Sequence, residues 1–284
     1  MKVLKILLIT VLVFVILTVV GLTLSYFSIR ASTGIDLIKI IRELNALSQP
    51  VDESEICPNV FSDDDMIDVK DTINQSVSDF ITYSEENGYN INLDNLPTEM
   101  KSIIRLTDKQ VGALANEFMT QDSENISVDS MTDLQLKQID FEISDEGYTV
   151  LNTVLFLDLT EEVENLPDEF PNYLLKGFIP KTLYISSTVI VRPTSEAFGY
   201  SVEHHSLTLN GLSPTETEEL FTTLSIIGVD GTAEEFNELT GQSVMDALVG
   251  SEEVKGFAYS LKSIGATGFE FVNENGVDYF IVKR

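Results

Sequence analysis

The 284-residue sequence contains one cysteine, no tryptophan and two histidines. A single cysteine permits no internal disulfide, so the chain is not a cysteine-stapled module and must rely on an apolar core. Extracellular eukaryotic domains of this size ordinarily carry more cysteines, which points to a bacterial source. Basic side chains are scarce as well: 17 Lys and Arg stand against 46 Asp and Glu, for a net charge of −29. The imbalance is concentrated in residues 49–175, which hold 29 acidic and 5 basic residues. Phosphate recognition needs clustered Lys and Arg, so nucleic acid is not an expected partner.

Catalytic signatures are missing too. The sequence has no GxSxG elbow, Walker loop, dinucleotide fingerprint or HExxH pair. No catalytic residue, cofactor or metal site is assigned, and the chain is not read as an enzyme. His204 and His205 are adjacent in a strand-like segment, so they face opposite sides and do not converge on one metal. The Asp63, Asp64 and Asp65 run lacks the alternating ligands and glycine of an EF-hand loop, and reads as helix-capping acid. Cys57 has no sequence-evident histidine partner that would make it a nucleophile.

What is present begins with residues 6–27, a run without a charged side chain. Roughly 20 apolar residues at about 1.5 Å rise each cross a hydrocarbon core of about 30 Å, so this stretch is expected to be an uncleaved membrane-spanning helix. It is too long for a signal-peptide core and is followed by no clean cleavage site. Cys57 lies too far beyond the run for lipidation to supply the anchor. Lys2 and Lys5 precede the run, and Arg30, Lys39 and Arg42 follow it. The count of basic residues near the ends does not favour the amino side, but the short amino-terminal flank carries only positive charge and large domains translocate largely regardless of charge, so the amino terminus is expected in the cytoplasm and the body outside. The expected organisation is a transmembrane anchor over 1–27, a juxtamembrane helix and acidic linker over 28–64, and an extracytoplasmic α+β domain over 65–284.

In the juxtamembrane part, Ile35, Ile38, Ile41 and Leu44 recur at helical spacing until Pro50. A helix is expected from Asp63–Asp65 to Gly88, with Met66, Val69, Ile73, Val77, Phe80 and Ile81 as its apolar stripe. Thr107 and Gln110 open a second helix, Ser213 to Glu216 a third and Thr232 to Glu235 a fourth, each by capping-box chemistry. Between them the period changes to strand. A long hairpin turns at Asp145–Gly147, two further long strands carry 181–193 and 199–212, and residues 255–284 are expected to form three strands with an Asn275–Gly276 turn. The fold class is therefore α+β: a transmembrane helix, a helical stalk, and a curved antiparallel sheet of about four long strands packed on helices.

The amino-terminal anchor, the LTDKQVGALANEF helix and the strands IPKTLYISSTVIVRP and YSVEHHSLTLNGLS together resemble bacterial membrane-anchored proteins of the YpmS-like type. These are similar to the tubular lipid-binding, TULIP-like class. The resemblance covers about residues 100–284 and rests on the order of elements. It implies a curved sheet wrapped around a helix with an apolar groove. Long apolar strands beside an anchor give the same expectation: a membrane-tethered protein holding a lipid or other apolar ligand, with Val154, Phe156, Ile185, Val189, Phe257 and Tyr259 as candidate lining residues. The alternative is a non-enzymatic interaction ectodomain that binds another envelope protein, which a filled core together with an exposed apolar patch would favour.

Overall fold

The computed structural model describes residues 42, 44–77, 81–84, 88–91, 102–124, 134–144, 146–165, 180–226, 231–254 and 256–284. The expected membrane span at 6–27 lies outside them; among the described residues no helix is long and apolar enough to cross a membrane.

The centre of the fold is a four-stranded antiparallel sheet in the order β4 (Leu134–Ile143), β5 (Thr149–Asp158), β6 (Thr182–Pro193) and β7 (Tyr200–Leu209). It forms as the alternation of the sequence requires. Register pairs Leu151 with Val189, Leu155 with Ile185 and Leu157 with Leu183, which puts all six on one face. That inner face is sealed: Leu151, Leu155, Ile185 and Val189 are fully buried. Each such side chain contributes about 1.5–3 kcal/mol by leaving water. The β4–β5 turn closes where expected, with Gly147 at φ 81° and its N–H donating to Ser144 O.

Helices cover this inner face. α3 (Asp108–Glu124) packs on β4, while α6 (Ala233–Leu248) lies on β6 and β7. α6 begins with a complete capping box: Glu235 N donates to the Thr232 hydroxyl, and the Glu235 carboxylate accepts from Thr232 N. Gly241 lies where α6 meets the sheet. A Cβ there would lie 2.8 Å from Val189 Cγ2 and 2.9 Å from Val202 Cγ1, so only glycine permits this approach. α5 (Pro214–Ile226) joins β7 to α6 and starts at Ser213 and Glu216 as expected.

A second sheet has the order β3 (Ser102–Thr107), β9 (Val277–Lys283), β8 (Gly268–Glu274). The Phe271 ring packs against Phe141 of β4 in a tilted arrangement, centroids 5.0 Å apart, so the two sheets share one core. The β8–β9 hairpin turns at Asn275 and Gly276, φ 57° and 82°, as the Asn-Gly pair requires.

Four expectations are revised. Residues 255–284 form two strands rather than three: α7 (Phe257–Ser260) and a 3-10 turn (Leu261–Ile264) replace the first. The helix α2 (Asp63–Val77) ends well before Gly88; Ile81 instead opens a small hairpin of β1 (Ile81–Ser84) and β2 (Gly88–Ile91). β3 is a strand that the sequence reading left unassigned. Finally, the segment read as stalk and linker is structural. Leu44 and Leu47 belong to the main core, whereas Cys57, with Val51 and Ile56, packs on the opposite face of the sheet around α1 (Glu53–Ile56). The segment returns at Phe61, whose ring covers Gly112 of α3. The chain thus passes from one face of the sheet to the other and back before α2 begins. α4 (Thr160–Glu164) completes the helices named here.

Candidate functional site

The six residues expected to line one groove are distributed over two faces and a helix. Val154 and Phe156 point to the outer face of the sheet, beside Tyr184, where Val51, Ile56 and Cys57 cover them. Ile185 and Val189 point the other way and are fully buried beneath the helices. Phe257 is buried on α7, with its ring edge-on to Phe118 at 6.2 Å. Tyr259 packs edge-on to Phe198 at 5.4 Å, with Lys262 Nζ 4.8 Å from its ring centre. The sheet therefore separates the first pair from the second, and the six do not share a surface.

Cys57 is sealed in the outer cluster. Burial, with Glu53 adding to it and Lys137 opposing, pushes its thiol up to about 11 from an ordinary 9.0. The thiolate is thus suppressed at neutral pH, which removes the nucleophile that a cysteine mechanism needs. The covering segment is held by Asn59. Its backbone N–H donates to Gln138 Oε1 at 3.0 Å, and its side-chain amide donates to Asp140 at 2.6 Å and to Asp108 at 3.1 Å. A second polar cluster is half-buried. Tyr200 donates to Asp246, and Gln242 donates to the Tyr200 hydroxyl at 2.8 Å. Burial first, then Asp246, raises the Tyr200 phenol above its ordinary 10.0.

The histidines are separated as expected, with an added detail. The β6–β7 register shifts between Thr188 and Val189, which pair with Ser206 and His204, so His205 is the extra residue and is exposed. His204 turns toward α6. There the Asn237 amide nitrogen donates to Thr188 O at 2.8 Å and lies 2.9 Å from His204 Nδ1. The carbonyl contact orients the amide. Nδ1 is therefore the acceptor, and the neutral ring carries its proton on Nε2.

His204 also lines a recess of about 390 Å³ between β7, α5 and the start of α6. Its other walls are Glu218, Phe221 and Thr222 of α5 and Gly231, Thr232, Ala233 and Glu234 at the start of α6. Phe221 and Ala233 are buried and form an apolar floor, whereas Glu218 and Glu234 are exposed at the rim. The sequence reading placed Thr232 as a cap but did not bring these residues together. Glu218 and Phe221 lie one helical turn apart, and His204 joins them only through the packing of β7 on both helices. Among the described residues no group of three His, Cys, Asp or Glu could hold a metal ion. Neither a family model nor a curated protein nor a solved structure matches this chain.

Proposed function

We infer that the protein is a single-pass, membrane-tethered interaction ectodomain of the cell envelope, working by binding rather than by catalysis. The observation that carries this reading is the route of residues 44–61. The chain that leads from the expected anchor places Leu44 and Leu47 in the main core, crosses the outer face at Cys57 and is tied down by Asn59. A flexible leash would let the body wander from the membrane. Integration of residues 44–61 into the body shortens the chain left between the expected anchor and the fold, which keeps the body close to the membrane, where an interaction module presents its surface. The filled inner face, with Ile185 and Val189 fully buried, further supports this reading over an apolar ligand held inside the sheet.

Native mass spectrometry of the full-length chain released from detergent micelles tests the choice. The expected result is the mass of the protein alone. A stoichiometric acyl lipid that survives release would overturn the interaction reading in favour of lipid holding. Protease protection in intact cells tests the topology: the body is expected to be cleaved from outside, and protection by the sealed cytoplasmic membrane would reverse the orientation.

A further inference from the structure

We propose that the recess beside His204 is a binding site for a small organic cation, a primary ammonium on a short apolar body. Its size falls within the range of small-molecule sites, about 300–1,000 Å³. The lining then selects the class of ligand. Glu218 and Glu234 bring two carboxylates to the rim, and neither has an ion-pair partner among the described residues. Among the described residues no Lys or Arg lines the recess.

An anion is disfavoured by this arrangement even though the recess adjoins a helix N-terminus. The capping box already engages the Thr232 and Glu235 N–H groups, and the Glu218 and Glu234 carboxylates put negative charge at the mouth, which repels an anion. A metal ion is disfavoured because, among the described residues, His204, Glu218 and Glu234 do not converge into a group that could hold one. An ammonium group meets the remaining requirements. It donates to carboxylates, and its apolar body lies on Phe221 and Ala233. Phe221 is itself braced by Phe236 at 5.6 Å, so the floor is rigid.

His204 supplies a reporter. Its Nδ1 is occupied by Asn237, so its ring is held in place at the wall of the recess, while His205 is exposed and is not among the recess lining. These are the two histidines of the chain, so histidine-selective NMR of the full-length protein in detergent micelles gives two signals, which His205→Gln assigns. The expected result is a saturable shift of the His204 signal with n-butylammonium and none with butyrate, which has a similar apolar body and the opposite charge. Joint Glu218→Gln and Glu234→Gln substitution is expected to weaken n-butylammonium binding by about tenfold or more, a loss of about 1.4 kcal/mol. Both residues are exposed, so the variant keeps the core intact.

The control is Glu252→Gln with Glu253→Gln. These residues lie beyond the far end of the 16-residue α6, about 24 Å along its axis. The control is expected to bind as the parent does. Equal weakening in the control would show diffuse attraction to an acidic surface and overturn the site. No saturable shift of the His204 signal, or equal shifts with butyrate, would overturn it as well. None of these results depends on the membrane topology or on an envelope partner.

Discussion

The side-chain amide of Asn210 donates to the backbone carbonyl of Leu47, joining the end of β7 to the segment that precedes the folded body. The same side chain accepts from Tyr184 N at 2.7 Å and donates to Thr182 O at 3.2 Å. Asn210 adopts φ 48°, a left-handed conformation that asparagine tolerates better than most residues. Asn210→Ala removes every one of these bonds and adds backbone strain. The expected loss is about 2–4 kcal/mol, read as a lower urea midpoint. Asn210→Gly, which relieves the strain, is expected to lose less.

Gly241 tests the seat of α6 on the sheet. Alanine is the better helix former by about 1 kcal/mol, and on an exposed helix face Gly241→Ala would stabilise. Here the new methyl meets Val189 and Val202, both branched and held by the sheet. Overpacking of this kind costs about 1–3 kcal/mol, so thermal unfolding is expected to show a net loss or no gain. A clear rise in Tm would mean that the helix can lift without penalty.

Cys57 gives a pH signature. Its folded thiol titrates near 11 and its ordinary value is 9.0, so the unfolded chain releases this proton first as pH rises. The stability owed to burying the neutral thiol is fully present below about pH 9 and is lost as pH rises through about 11. Tyr200, also raised, acts in the same direction above its ordinary 10.0. Urea midpoints measured at pH 8 and pH 10.5 are expected to fall, and the fall is expected to be smaller in Cys57→Ala.

The same thiol reports on the covering segment. At pH 8 the parent is expected to react slowly with a thiol-specific reagent because Cys57 is buried. Asn59→Ala removes the ties to Asp108 and Asp140. Faster labelling of that variant under native conditions, with little change in the global urea midpoint, is the expected outcome. An unchanged rate would show that apolar packing on Val154 and Tyr184 alone holds the segment down.

Capping is legible in the sequence and carries a measurable share of stability. Thr232→Ala deletes one half of the capping box on α6, and a loss of about 1 kcal/mol is expected in chemical unfolding.

Local chemistry explains which parts of the fold could be read in advance. Thr107 with Gln110, Ser213 with Glu216, Thr232 with Glu235, and Asn275 with Gly276 each state their conformation within four residues. The long alternating strands from Leu134 to Leu209 do so through period. Short apolar runs do not: Ile103, Ile104 and Leu106 fit strand or helix equally, and Phe257 to Ser260 reads as strand until its packing makes it a turn of helix. The segment around Cys57 looks like a linker in sequence because its acidic side chains are local, whereas its partners Gln138, Asp140, Val154 and Tyr184 are distant in the chain. The recess was hidden for the same reason, since His204 meets Phe221 and Glu234 only after the helices dock.

The Leu47–Asn210 bond spans 163 residues. The part of the body that leaves the ribosome first therefore cannot reach its partner until the end of β7 has been made and paired. Closing so long a loop is slow, because the entropy is lost before any contact rewards it. Capture of the leading segment therefore waits for β7, just as β3 waits for the C-terminal strand β9, so the two ends of the body are both secured only once the chain is nearly complete.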